Sequence, residues 1–236
     1  MLQEKLDKNK IFRIFIIGML CLAISQSVFA QNNFEKELSI GVNGGTTISS
    51  VNFVGSKFTV RQNQLVQAVG GLSIRFISEK NIGIQGEINY SQRGWKEYDL
   101  IDTEFHYSRQ LNYLELPVLT HLYFNAGERF RVVFNFGPQL GYFLSEKDLD
   151  LSLTTDNNKE NRPYITQEVQ RKFDWGLCFG GGVELCTGAG NFVLDGRYYY
   201  GLSDIFNNSK SDNFASSSNQ IISVKLTYFY RLRTKN

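Results

Sequence analysis

Residues Phe130 to Tyr142 read FRVVFNFGPQLGY, and their alternation decides the fold. Phe130, Val132, Phe134, Phe136, Leu140 and Tyr142 share one parity, while Arg131, Asn135, Gly137 and Gln139 share the other. A period of two is the signature of a β-strand with two unlike faces. Seven further segments repeat it. They are marked by Leu38, Ile40 and Val42; by Val66, Ala68, Leu72, Ile74 and Phe76; by Ile82, Ile84, Ile88 and Tyr90; and by the run from Tyr107 to Tyr123. The last three carry Phe173, Trp175, Leu177, Phe179, Val183 and Leu185; Phe192, Leu194, Tyr198 and Tyr200; and Ile222, Val224, Leu226, Tyr228 and Tyr230. Proline is confined to Pro117, Pro138 and Pro163, which suits long strands, and no segment reads as a helix.

The connections separate the architectures that eight strands allow. Ser78 to Asn81, Asn125 to Arg129 and Thr187 to Asn191 are short, whereas Thr47 to Gln64, Arg93 to His106, Ser145 to Gln170 and Ser203 to Asn219 are long and polar. Short turns and long loops alternate, as in a transmembrane barrel with brief periplasmic turns, long outer loops and both termini on the periplasmic side. A secreted eight-stranded lipocalin also alternates, with its apolar face inward. Two features favour lipid outside. Aromatics gather near strand ends, at Tyr90, Tyr107, Tyr123, Phe124, Phe130, Tyr142, Phe143, Phe173, Trp175, Tyr200 and Tyr230, where interfacial girdles belong. The opposite parity carries glycine, small polar residues and both signs of charge: Arg75, Glu87, Arg131, Asp174, Glu184, Asp195, Arg197 and Lys225. Those charges suit a narrow lumen closed by pairing. The expected fold is an all-β, eight-stranded antiparallel transmembrane barrel.

The beginning of the chain agrees with export. Lys5, Lys8, Lys10 and Arg13 precede an apolar run from Ile14 to Ile24, and Val28-Phe29-Ala30 supplies a small-residue cleavage site. Residues 1–30 are expected to be a cleaved secretory signal and residues 31–236 the barrel. Leu20 stands where lipid attachment at Cys21 wants a small residue, which argues against a lipoprotein. Loss of the leader leaves 21 basic and 21 acidic residues. A formally neutral chain offers nucleic acid no bulk attraction. Cys178 and Cys186 lie eight residues apart on one strand, far beyond disulfide reach, and read as free thiols.

Four runs carry a family resemblance: Leu111-Asn112-Tyr113-Leu114-Glu115-Leu116-Pro117, Gly137-Pro138-Gln139-Leu140-Gly141-Tyr142, Phe179-Gly180-Gly181-Gly182-Val183-Glu184, and Arg197 to Ile205. The chain resembles the PorT-like outer-membrane β-barrel family of Gram-negative bacteria. The resemblance implies an outer-membrane location and an eight-stranded barrel; the namesake branch takes part in protein secretion. Tyr228 and Tyr230 resemble the C-terminal signal read by the outer-membrane insertion machinery, although Arg231 to Asn236 follow them.

Chemical candidates are few. Glu115 has the parity opposite to Leu114, Leu116 and Val118, so it is expected in the lumen, neutralised by an arginine. Pro117 lacks a ladder donor and suggests a bulge or local bend. Leu111 and Tyr113 share the parity of Glu115 and so have the wrong parity for lipid. His106 and Ser108 share a strand face at i, i+2, a spacing compatible with base and nucleophile but common. Small outer-membrane barrels include lipid A-modifying hydrolases that use such a pair. Asp148, Asp150 and Asp156 lack a calcium-loop pattern and read as a solvated loop. No catalytic, cofactor or metal-ligating residue is assigned. The expected protein is a monomeric, non-enzymatic envelope scaffold or interaction component with a filled lumen. Its partners are outer-membrane lipids, the insertion machinery during assembly and an envelope protein, with no nucleic acid. A narrow channel and a lipid A-modifying enzyme are the alternatives.

Overall fold

The computed structural model describes residues 35–54, 62–98, 106–152, 168–206 and 216–232. The expected signal, residues 1–30, lies outside them. Eight strands follow one another: β1 (Glu37–Val54), β2 (Gln62–Glu79), β3 (Ile82–Tyr98), β4 (His106–Asn125), β5 (Phe130–Ser152), β6 (Phe173–Thr187), β7 (Gly190–Asp204) and β8 (Ser216–Leu232). Each pairs antiparallel with its neighbours, and β1 pairs with β8 from Leu38 opposite Leu232 to Val54 opposite Ser216, so the sheet closes into a barrel. The short turns lie at the end that holds Glu37 and Leu232, and Asn81 occupies one of them with φ 73°.

Closure fixes which parity faces where. Ile40, Val42, Leu72, Ile74, Ile84, Ile88, Leu116, Phe134, Phe136, Leu177, Phe179, Leu194 and Leu226 are exposed on the outside. Seven of the eight expected inward charges are buried, and Arg131 is half-buried. An apolar exterior around a charged interior is the reverse of a soluble lipocalin and matches a hydrocarbon solvent.

Three expectations need correction. Tyr107, Tyr123 and Phe143 do not belong to the outer girdles, because they are buried. Tyr107 and Tyr123 have the parity of Glu115 on β4, and Phe143 has that of Gly141 on β5, which places them inside. The expected loops are also too generous. β1 continues to Val54, β3 to Tyr98 and β5 to Ser152, and β2, β4 and β8 begin at Gln62, His106 and Ser216. Polar side chains do not end a ladder whose backbone groups still find partners, and the strands run well beyond the roughly 9 to 11 residues a membrane requires.

Pro117 makes no bulge. Gly86 opposite Val118 and Asn89 opposite Glu115 keep one register across it, with the intervening pairs missing. The bulges between β4 and β5 lie farther out, where Leu149 and Leu144 are the extra residues at the shifts Ser108/Arg109 and Asn112/Tyr113. The parity of Leu111 and Tyr113 therefore reflects burial: both sit inside the outer mouth with Val51, Trp95, Tyr107, Phe143, Val169, Ile205 and Phe206.

Candidate functional site: a lumen filled by paired charges

The inward residues form successive layers along the barrel axis. Nearest the short turns, Arg75 on β2 crosses the lumen to Glu184 on β6 at 2.6 Å, and both side chains are fully buried. Asn191 donates to the same carboxylate at 2.7 Å, and Arg131 stands 3.7 Å from it. The Arg75 guanidinium also lies over the Phe229 ring at 4.1 Å, and that of Arg131 over Tyr123 at 4.7 Å. Beside them the His121 imidazole pairs with Asn135 through Nδ1 at 2.8 Å.

In the next layer Glu87 on β3 binds Arg197 of β7 at 2.8 Å and Lys225 of β8 at 2.5 Å. Gln85 and Asn89 donate to its two oxygens, and Arg197 also pairs with Asp195. Glycine makes room for this layer. A Cβ on Gly180 would stand 2.8 Å from Arg197 Cγ and 2.2 Å from the Gly196 carbonyl, and one on Gly182 would stand 2.8 Å from Asp195 Cβ. Gly180 and Gly182 thus leave a cleft on β6 into which the charged side chains of β7 pack, while Gly181 faces Phe134 on the outer side.

Glu115 falls where its parity indicated. Arg93 Nε donates to it at 2.9 Å, and Gln139 donates to its second oxygen at 3.1 Å. The same guanidinium reaches Asp174 on β6 at 2.6 Å and lies over Tyr113 at 4.5 Å and Tyr199 at 5.0 Å. Asn219 and Ser203 add donors to Asp174. One buried cation therefore joins β3, β4 and β6. Above it, Arg109 binds Asp148 at 3.0 Å and Glu146 at 3.6 Å, and the apolar cluster of the mouth surrounds this level.

Buried charges are tolerated only when paired and hydrogen-bonded, because desolvating an ion costs several kcal/mol. These layers pair their buried charges across strands remote in sequence, so they tie the barrel walls together and occupy its interior. An eight-stranded barrel is just wide enough for such filling. Arg93, Arg109 and His121 were missed at the level of sequence; each lies at an inward position of β3 or β4, and the parity that located Glu115 would have found them.

The other candidates do not assemble into a site. Ser108 is buried on β4, and the His106 side chain lies outside the described residues. The Asp148 carboxylate accepts from Arg109 and the Tyr107 hydroxyl, which makes it part of the rim network. Asp156 and the side chain of Asp150 lie outside the described residues. Cys178 and Cys186 are free thiols, the former buried in the lumen wall.

A family model described as "Outer membrane protein beta-barrel domain" matches residues 29–207. The chain belongs to this family. It is an outer-membrane β-barrel, as the apolar exterior and closed ladder require. No curated protein sequence matches it. Among solved structures it is similar to the outer membrane protein OprG from Pseudomonas aeruginosa, with 14% identity over 85% of this chain and 98% of that one and a TM-score of 0.49. It is also similar to Ail, the attachment invasion locus protein of Yersinia pestis, solved with the heparin analogue sucrose octasulfate (14% identity, 84% and 100% covered, TM-score 0.39). Neisserial surface protein A gives 11% identity, 83% and 99% covered, and a TM-score of 0.44.

Proposed function

We propose that this barrel is a non-enzymatic, monomeric scaffold of the outer membrane, closed to ion flow, that holds its outer loops for an envelope protein partner. The observation that carries this reading is the continuity of the filling. Paired side chains occupy the interior from Arg75 and Glu184 near the short turns, through Glu87 and Arg93, to Arg109 and Asp148 at the outer mouth. A wide aqueous path would need these groups to part, and each pair that opened would leave a buried charge uncompensated. Recognition on such a scaffold belongs to the loops it holds.

The resemblance to the PorT-like family extends this proposal to a secretion-associated role. The experiment is recovery of partners from native membranes, combined with single-channel recording of the purified barrel. Recovery of a defined envelope protein with negligible conductance supports the scaffold. Steady large currents would replace it with the channel reading, and altered lipid A in a His106→Ala strain with the enzyme reading.

A further inference from the structure

Between the Glu87 layer and the Arg93 layer the packed side chains leave a small enclosed space. A chamber of about 20 Å³ remains there, lined among others by Ser91, Glu115, Gln139, Arg197, Tyr199 and Lys225. About 10 to 15 Å³ suffices for one water molecule, so the space admits a water and little more. One wall also has an unmet requirement. Ser91 is fully buried, and its hydroxyl has no hydrogen-bond partner among the described residues. A buried polar group left unpaired costs roughly 1 to 3 kcal/mol, which native interiors avoid by admitting ordered water.

The lining selects the ligand. A cation would face Arg197 and Lys225, and an anion would face Glu115. An apolar molecule would meet both and would not fit. A neutral ligand that donates and accepts suits walls of both signs. An acceptor is at hand: Glu115 Oε1 is held by Arg93 through Nε and Nη2, whereas Oε2 accepts one hydrogen bond, from Gln139, and has room for a second. Lys225 carries three N–H donors, one of which goes to Glu87.

We propose that the chamber is a binding site for a single long-lived water molecule, which satisfies Ser91 and links the Glu87/Arg197/Lys225 layer to the Arg93/Glu115/Asp174 layer. The proposal rests on the filled lumen and goes beyond it: two networks of ion pairs become one hydrogen-bonded column through the water. Because the charges above and below are paired, this water exchanges slowly with the solvent.

The test uses the refolded mature barrel in nanodiscs, with water-to-amide cross-relaxation recorded at Ser91 and Cys178, and crystals of the same protein soaked in bromide or thallium(I). The expected result is a cross-peak of bound-water sign at these amides and no anomalous peak in the chamber. In Ser91→Val, whose methyl groups fill the space, the cross-peak is lost; in Ser91→Ala, which keeps the space, it persists. Absence of the cross-peak in the wild-type barrel overturns the proposal, as does a bromide or thallium peak, which would make the chamber an ion site. The wild-type measurements stand even if Ser91→Val fails to fold. Steady conductance would overturn the closed lumen on which the proposal rests and is read separately from the cross-peak.

Discussion

At the scale of single residues, Arg93 has the most to lose by substitution. Its guanidinium neutralises two carboxylates, Glu115 and Asp174, in a place water does not reach freely. Arg93→Ala leaves both acids buried without their cation, and the expected loss of stability is about 3 to 5 kcal/mol. Glu115→Gln keeps the Arg93–Asp174 pair and costs about 1 to 3 kcal/mol, whereas Glu115→Lys sets a second cation against Arg93 and falls in the higher range. Denaturant titration of the refolded barrels gives this order; equal losses for Gln and Lys at position 115 would contradict it. Gly180→Ala is expected to destabilise the barrel although it adds only one methyl group, because that group would meet the Gly196 carbonyl and the Arg197 stem. The free thiols offer a check on the filling: maleimide should modify Cys186, at the short-turn end, well before Cys178, and unfolding should equalise them. Rapid labelling of Cys178 in the folded barrel would show that the lumen opens.

At the scale of elements, the outer ends of the strands carry the sharpest expectation. β5 remains paired with β4 out to Ser152, and Asp148 holds Arg109 there. Deletion of residues 153–167 should therefore leave folding intact and weaken recovery of an envelope partner, whereas deletion beginning at Ser145 should also damage the barrel. Heat-modifiable gel migration reads folding in both variants, and recovery of a verified partner that is unchanged by the shorter deletion would exclude this loop as the binding element. The position of these strand ends was the part of the fold least legible in the sequence. Alternation located all eight strands because lipid imposes one hydrophobic face across the membrane. Beyond the hydrocarbon that rule lapses, so Gln62 to Gln64 and Ser145 to Ser152 read as loop while their backbones still pair. The same lapse explains Tyr107, Leu111 and Phe143. Their apolar character suggested lipid contact or an uncertain register, but the mouth of the barrel has an apolar cluster of its own inside. Glu115 was legible for the converse reason: a carboxylate among lipid-facing leucines has only the lumen to enter.

At the scale of the whole molecule, an apolar exterior and a lumen cross-braced by ion pairs predict a barrel that resists detergent. Unheated protein should migrate in SDS gels as a compact species and shift on boiling, since every strand has two neighbours and no free edge begins the unfolding. A single mobility with and without heating would count against a closed barrel. Planar bilayers should register little current from the wild type and more from Arg93→Ala, which removes a cross-lumen brace; large steady currents from the wild type would show that the filling does not seal.

The β1–β8 ladder sets the order in which this barrel can be made. The seven other ladders join strands that are consecutive in the chain and can form as hairpins, while the closing ladder joins Leu38 to Leu232. Bringing such distant segments together carries the largest loop-closure cost of any step, and contacts of high sequence separation form slowly. A chain interrupted between Asp204 and Ser216 would keep six of the eight ladders yet expose two long open edges, so completion of the ring depends on the seventeen residues of β8 being delivered intact.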